Sequence, residues 1–203
     1  MFVSFGIIVI CRLIWKIGIY GGIHLKHALV VGGTGMLKKV SLWLVDQGYH
    51  VSVVARNAQR LKALTEQTSN PTQFSLLAVD YQNDGDLRQR INDTIEENGP
   101  IDFAVTWIHR TAPNALSIIL NEIEKTSEHN WELVQISGSS SNLGVIKEKE
   151  NPSKKCQYKQ VQLGFVIDKE KSRWLTNEEI SDGVIQAITS SHEINIVGTL
   201  TPW

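Results

Sequence analysis

Cysteine is scarce in this 203-residue chain, and a surplus of basic residues is missing altogether. Two cysteines, Cys11 and Cys156, cannot form a disulfide framework or a cysteine-rich zinc site, so we expect a cytoplasmic protein. Lysine and arginine number 20 against 21 acidic residues, whereas nucleic-acid-binding domains normally carry excess positive charge. The six histidines lack ligand spacing with acids or cysteines. We therefore expect neither a nucleic-acid partner nor a metal.

Residues 1–24 contain no acidic residue, and they differ in this from the rest of the chain. The uncharged run Met1–Cys11 has 11 residues, which is too short to span a bilayer. Extending the run to Tyr20 would bury Arg12 and Lys16, each at a cost of about 2.5–3.5 kcal/mol near the membrane centre. A signal peptide would place its positive charges before the apolar run and a small-residue cleavage site after it. Neither feature is present.

Our hypothesis for residues 1–24 is a wrongly assigned start codon. Codons for Gly21 and Gly22 can contain a purine-rich bacterial ribosome-binding site, and a TTG codon for Leu25 can serve as a bacterial start. The alternative is a genuine N-terminal membrane anchor, which would add a membrane partner. The intact mass of the native protein distinguishes the two. We assign residues 25–203, with 18 basic and 21 acidic residues, to one domain.

Short apolar runs alternate with helical patterns from Leu25 onward. Seven runs predict strands: Ala28–Val31, Val51–Ala55, Phe74–Val79, Ile101–Ile108, Trp131–Ile136, Tyr158–Ile167 and Ile194–Val197. Apolar residues at helical spacing lie between them. We expect Asn57 to cap the helix after the second strand, and Thr176 with Glu179 forms a capping box before the last helix. Two polar stretches, Ser137–Asn142 and Lys147–Lys155, are typical of solvated loops. This order predicts an α/β fold, a doubly wound, Rossmann-like parallel sheet in a single domain.

A glycine-rich loop joins the first predicted strand to the first helix. In an open parallel sheet, such a loop lets the backbone approach a pyrophosphate at the helix N-terminus. The alternative is a tight turn without a ligand. The residues expected to contact a dinucleotide here are Gly32, Gly33, Thr34, Gly35, Met36 and Leu37.

With this loop the chain resembles the short-chain dehydrogenase/reductase superfamily, in particular its atypical members with a GGTG-type loop. The resemblance covers residues 26 to about 140 and extends more loosely to 203. The family pattern G-x-x-G-x-x-G falls on Gly32, Gly35 and Lys38, so the third glycine is absent. Because that glycine usually permits close packing of helix on strand, Lys38 must point outward or the helix must shift.

The end of the second strand selects the cofactor in dinucleotide-binding folds. An acid there binds the ribose hydroxyls of NAD, whereas an arginine attracts the 2′-phosphate of NADP. This chain has Arg56 and Asn57, with Arg60 one helical turn later, which favours NADP(H) over NAD. Asp80 matches the family position that contacts adenine and precedes Tyr81, although it is also typical of a simple turn.

The catalytic half departs from the family. An Asn-Ala-Gly segment is replaced by the stretch that begins at Thr106, which we still expect to contact the cofactor. Ser137 lies where the family positions its catalytic serine, although the same serines suit a solvated turn. The resemblance also implies a Tyr-x-x-x-Lys pair on a helix, in which lysine lowers the tyrosine pKa. Only Tyr158 follows, with Gln162 four residues later and a strand-like sequence around it.

His109 is the candidate that replaces this pair, because it follows the fourth strand at the ligand-binding edge and imidazole titrates near neutrality. Its alternative role is a hydrogen-bonded loop histidine. Three functions remain open: an NADP(H)-dependent reductase of a small carbonyl compound, assisted by His109 or Ser137; a non-catalytic dinucleotide-binding redox sensor; and a structural domain without ligand. The reductase is favoured partly by analogy. We also expect a pocket that is either open or completed by another subunit, for which a homodimer is one arrangement.

Overall fold

Seven parallel strands form the central sheet of the protein, which we describe from a computed structural model over residues 25–168 and 171–200. The strands are β1 His27–Val31, β2 His50–Ala55, β3 Phe74–Ala78, β4 Ile101–Trp107, β5 Trp131–Ser137, β6 Cys156–Leu163 and β9 Ile194–Val197. Their spatial order is β3-β2-β1-β4-β5-β6-β9. The order reverses between β1 and β4, where a doubly wound sheet opens a crevice at the carboxyl ends of its strands.

In the described part of the chain, six α-helices flank this sheet. They are α1 Lys38–Asp46, α2 Ala58–Thr65, α3 Asp84–Asn98, α4 Ala115–Thr126, α5 Leu143–Glu150 and α6 Asn177–Thr189. Helices α1, α2 and α6 pack into one apolar core, and α3 and α4 pack into the other. Strand β1 is buried at all five positions, and the four that follow His27 are apolar, as expected for a strand covered on both faces. The predicted doubly wound α/β fold in a single domain is confirmed.

The predicted capping residues also take their expected places. Asn57 accepts a hydrogen bond from the Arg60 amide at the start of α2, and Thr176 with Glu179 forms a complete capping box on α6. These caps fix the residues at which α2 and α6 begin.

One loop prediction was wrong. The stretch Lys147–Lys155 was expected to be a solvated loop, but its first four residues belong to α5. The Asn142 side chain caps this helix by accepting from the Val145 amide. Hydrogen bonds from Ser117 to Glu150 and from Lys149 to the Pro113 carbonyl oxygen hold α5 against α4. Polar side chains therefore anchor a helix that buries no residue of its own.

The prediction of one strand over Tyr158–Ile167 was also wrong. Strand β6 ends at Leu163, and β7 Phe165–Asp168 turns away to form an antiparallel hairpin with β8 Lys171–Trp174. The break falls at Gly164, where a Cβ atom would lie only 2.2 Å from the Thr199 carbonyl oxygen. Only glycine allows the two backbones to approach so closely.

Residues 1–24, with the hypothesis about the start codon and Cys11, lie outside the described residues. Among the residues described, no helix is long and apolar enough to cross a membrane.

Candidate functional site

The loop after β1 lies at the point where the strand order reverses. Gly32 has a φ of +86°, and its amide donates to the Val54 carbonyl oxygen at 3.0 Å. A Cβ atom at Gly32 would be 3.3 Å from the Trp107 carbonyl oxygen at the end of β4. Glycine therefore permits both the left-handed turn and the close approach of the two strand ends.

Gly33 occupies the tightest position of the loop. A Cβ atom there would lie 2.6 Å from Ser41 Oγ, 2.7 Å from Val53 Cγ1 and 3.0 Å from Val30 Cγ1. The position that lacks the third family glycine carries Lys38, whose side chain is exposed. Of the two arrangements expected for Lys38, the structure has the outward one. Gly33 provides the close packing of α1 against the strands.

The first turn of α1 faces the crevice without a side-chain cap, because Leu37 at the N-cap position offers no hydrogen-bonding group. Gly35 has no heavy atom within 4 Å of its ideal Cβ position, so open space adjoins the loop. From α6, Ser181 Oγ donates to the Met36 carbonyl oxygen at 2.6 Å. Helix α6 thus holds the loop at Met36, and the loop stays accessible at Gly35, as a pyrophosphate site requires.

An open cavity of about 550 Å³ lies beside this loop, between the first turns of α1, α2 and α6. Three basic side chains line it, and one of them, Lys39, is 2.5 Å from Asp182 Oδ1. The lining residues are Thr34, Gly35, Lys38, Lys39, Leu42, Arg60, Asn177, Glu178 and Ser181.

Arg56 and Asp80 follow neighbouring strands, β2 and β3, and the structure brings them together. Arg56 Nη1 lies 3.9 Å from Asp80 Oδ2, and the two side chains are 67% and 44% exposed. Asp80 Oδ1 also accepts from the Gln82 amide, which is the turn-forming role left open by the sequence. An exposed pair of this kind is weak, so Arg56 is free to turn toward an anionic ligand.

Tyr81 and His109 meet at the ends of β3 and β4. The His109 amide donates to the Tyr81 hydroxyl oxygen at 3.3 Å, and the Thr111 amide donates to His109 Nδ1 at 3.4 Å. Because Nδ1 is an acceptor, the neutral ring carries its proton on Nε2. The His109 side chain is exposed.

Thr106 lies one strand position before the crevice and is only 1% exposed. Its hydroxyl oxygen has no hydrogen-bond partner within the described part of the chain. A buried hydroxyl without a partner costs free energy.

Ser137 ends β5 and is 7% exposed. The following residues, 138–141, form a turn that we call the serine turn. In it the Ser141 amide donates to the Gly138 carbonyl oxygen at 3.1 Å. No hydrogen bond joins Ser137 to His109 among the described residues, although their strands β5 and β4 are adjacent. The structure therefore places His109 beside Tyr81, and Ser137 lies apart from them at the end of the neighbouring strand β5.

Tyr158 is a buried residue of β6, as its strand-like surroundings predicted. Its hydroxyl donates to Gln135 Oε1, and burial raises the tyrosine pKa well above its ordinary value. Lys159 points to the other face, where its Nζ donates to the carbonyl oxygens of Ile188 and Ser190. Helix α5, which lies between the serine turn and β6, contains no tyrosine. A Tyr-x-x-x-Lys pair is thus absent.

A family model described as short chain dehydrogenase matches residues 26–134, which is more than half of the chain. The chain belongs to the short-chain dehydrogenase family. Among curated proteins, no significant match was found. The family assignment agrees with the resemblance noted from the glycine loop, and it makes this chain an oxidoreductase of the NAD(P)-binding Rossmann type.

Solved short-chain dehydrogenase structures share the fold at low identity. A short-chain dehydrogenase/reductase from Serratia marcescens is 16% identical, with a TM-score of 0.66 over 85% of this chain and 96% of that one. The glucose/ribitol dehydrogenase-type member from Brucella melitensis is 11% identical, with a TM-score of 0.67 over 88% and 97%. ElxO with NADP bound is 15% identical, with a TM-score of 0.65 over 86% and 97%.

Sequence reasoning missed two contacts that shape this site. Ser181 reaches the glycine loop from 145 residues away, and Gln162, noted only as the residue in the lysine position, donates to the serine turn. Neither contact belongs to a local pattern, so no spacing rule could have found it. Within residues 25–168 and 171–200, no group of three His, Cys, Asp or Glu side chains is arranged to hold a metal ion.

Proposed function

We propose that this short-chain dehydrogenase is an NADP(H)-dependent reductase of a small carbonyl compound. The observation that carries the proposal is the glycine loop at the reversal point, with its uncapped helix N-terminus and the open space around Gly35. Backbone N–H groups of residues 33–37 would hold the pyrophosphate there. Asp80 and Tyr81 would border the adenine, and the unpartnered Thr106 hydroxyl would meet the cofactor beyond the pyrophosphate.

Positive charge supports NADP(H) over NAD(H). Arg56 at the end of β2 is held only by a weak, exposed pair with Asp80. Lys38 and Arg60 line the cavity beside the loop. A 2′-phosphate is nearly dianionic at neutral pH, and a guanidinium engages it with paired hydrogen bonds. Asn57 is occupied as the cap of α2, so it would contribute through its backbone.

The bound nicotinamide would supply a hydride to the carbonyl carbon of the substrate. The chain must then give one proton to the carbonyl oxygen, and two groups at adjacent strand ends are candidates. His109 is exposed and in its imidazolium form can give up one proton to become neutral imidazole, and Ser137 offers a hydroxyl at the end of β5. Tyr158 cannot act here because its hydroxyl is buried and bonded to Gln135. The proton donor is therefore His109, assisted by Ser137.

Paired titrations of NADPH and NADH test the cofactor assignment. Hydrogen bonds to a charged group contribute about 1.5–3 kcal/mol, or about ten- to a hundredfold in affinity. Arg56→Ala should weaken NADPH by that factor and leave NADH nearly unchanged, because NADH lacks the phosphate. Arg90→Ala is the matched control, since Arg90 is an exposed arginine on α3. If Arg56→Ala leaves the ratio of the two affinities unchanged, the NADP assignment fails.

Oxidation of NADPH in the presence of a panel of aldehydes, ketones and α-diketones tests turnover. The reductase proposal expects loss of NADPH absorbance with at least one of these compounds. Tight NADPH binding without turnover across the panel would instead support the redox-sensing module. Absence of binding to either nucleotide would contradict both functions.

A further inference from the structure

The turn that follows β5 is held in place by a side chain of the neighbouring strand. Gln162 Nε2 on β6 donates to the carbonyl oxygens of Ser139 at 3.0 Å and Ser141 at 2.9 Å. Gln162 is 8% exposed, and it lies opposite Ser137 in the strand register. These contacts hold the serine turn, residues 138–141, from the side of β6.

The chemistry of the side chain fixes its orientation. An amide group has two N–H donors on one side and an acceptor oxygen on the other. Two carbonyl oxygens accept only from the nitrogen, so both hydrogens of Gln162 are used on the serine turn. Gln160, two residues earlier on the same face, donates to the Leu143 carbonyl oxygen at 2.9 Å. Gln160 thus fixes the start of α5, and Gln162 fixes the turn before it.

We propose that Gln162 is a positioning residue that sets the geometry of the serine turn at the crevice. The role in the reaction rests on the proposed function, which places Ser137 next to the reacting carbonyl group. Because the carbonyl groups of Ser139 and Ser141 are both held, the serine turn has little freedom, and we expect the hydroxyls of Ser137 and Ser139 to keep one direction. A displacement of about 1 Å in such a group costs about a hundredfold in rate.

Two substitutions remove the donors in different ways. Gln162→Met keeps the length of the side chain and removes both hydrogen bonds. Gln162→Glu keeps the shape but turns a carboxylate toward two carbonyl oxygens, and only its protonated form can donate one hydrogen bond. The defect of Gln162→Glu should therefore grow as the pH rises, which a purely structural defect would not do. Gln157→Glu, an exposed change on the same strand, is the matched control.

Hydrogen exchange of the Ser141 amide reports directly on the turn, because this N–H closes it on Gly138. In the full chain, Gln162→Met should speed that exchange about tenfold, as expected for the loss of hydrogen bonds of ordinary strength. With NADPH and a carbonyl compound reduced by the wild type, kcat should fall by about the same factor. The Kd for NADPH should stay within about twofold, because the glycine loop is untouched.

Faster exchange at Ser141 together with a lower kcat and an unchanged Kd supports the proposal. Unchanged exchange in a folded Gln162→Met variant overturns it, and so does faster exchange with wild-type kcat. If Gln162→Met does not fold, exchange of the Ser141 amide in Gln162→Glu is compared with the wild type at each pH. A difference that grows as the pH rises supports the proposal, and a constant difference overturns it. If the wild type reduces no carbonyl compound, the proposed function fails and the catalytic role with it, whereas the exchange data still show whether Gln162 holds the turn.

Discussion

Replacing Gly33 by alanine would place one methyl group at the junction of β1, β2 and α1. Its ideal position is 2.6 Å from Ser41 Oγ and 2.7 Å from Val53 Cγ1, both closer than real Cβ contacts. Val30, Ser41 and Val53 are fully buried, and the Ser41 hydroxyl is bonded to the carbonyl oxygens of Gly33 and Leu37. The neighbours can therefore yield only if α1 moves away from the sheet.

Overpacking of this kind costs about 1–3 kcal/mol. In a domain of about 200 residues, each kcal/mol lowers Tm by about 2–4 °C, so Gly33→Ala should melt about 2–12 °C below the wild type. Gly35→Ala is the matched control in the same loop. No heavy atom lies within 4 Å of that Cβ position and φ is not positive, so alanine should leave Tm unchanged or raise it slightly.

Differential scanning calorimetry of the full chain measures both variants against the wild type. NADPH titration of the same samples shows whether the displaced helix also weakens the cofactor site, as the shared loop implies. A Gly33→Ala variant that melts within about 1 °C of the wild type would refute the assignment of Gly33 as the packing glycine. If Gly35→Ala lowered Tm by the same amount, the loss in Gly33→Ala could not be attributed to the close packing at Gly33.

Three further predictions follow from the site and the last helix. Gly35→Asp should fold normally but lose NADPH binding in calorimetry, because its carboxylate would meet the pyrophosphate; a retained Kd would move the cofactor site elsewhere. The Arg173 guanidinium beside Glu179 holds the pKa of that carboxyl at about 2, so this ion pair stabilises the fold above about pH 4.5 and is lost as the pH falls toward 2. The Tm difference between the wild type and Glu179→Gln should close over that window in thermal melts, and a constant difference would contradict the role of charge. His109→Gln should lower kcat by about a hundred- to ten-thousandfold and leave the Kd for NADPH unchanged, because a glutamine amide cannot give up a proton; an unchanged kcat would exclude His109 as the donor.

Strands β1, β2, β4 and β5 could be predicted because each is a mostly apolar run inside the sheet with both faces covered. Strand β3 could be predicted from its apolar residues alone, since it lies at the sheet edge with Leu76 exposed. Burial of both faces removes the alternation of polar and apolar residues, and what remains is a short continuous run between turn residues. The caps at Asn57 and Thr176 could be predicted for a different reason, since they involve residues only three positions apart. Local patterns of both kinds survive in a single sequence.

Helix α5 and the β7–β8 hairpin could not be predicted in this way. No residue of α5 is buried, so the segment lacks the apolar stripe that identifies a helix, and its anchors Ser117 and Pro113 belong to another part of the chain. The hairpin depends on the contact between Gly164 and Thr199, which are 35 positions apart. Both elements depend on tertiary contacts, and the periodicity of a sequence carries no information about such contacts.

The candidate site shows the same division between residues found from local patterns and contacts set by tertiary structure. The glycine loop and Arg56 stood out because the chemistry of dinucleotide binding restricts residue types at the ends of β1 and β2. The link between Arg56 and Asp80 joins two strand ends, and the contact between Ser181 and the glycine loop crosses most of the chain. Sequence reasoning thus identified groups that would touch a ligand and missed those that hold them in place.

The two departures from the family pattern have connected physical consequences. With Gly33 providing the close packing of α1, position 38 is free to carry a long cationic side chain at the edge of the basic cavity. On β6, Tyr158 and Gln162 share a face, and their polar groups are already bonded to Gln135 and to the serine turn. Under the proposed function, the proton for the substrate would therefore come from the strand-end loops rather than from β6, and His109 with Ser137 are the groups proposed to supply it.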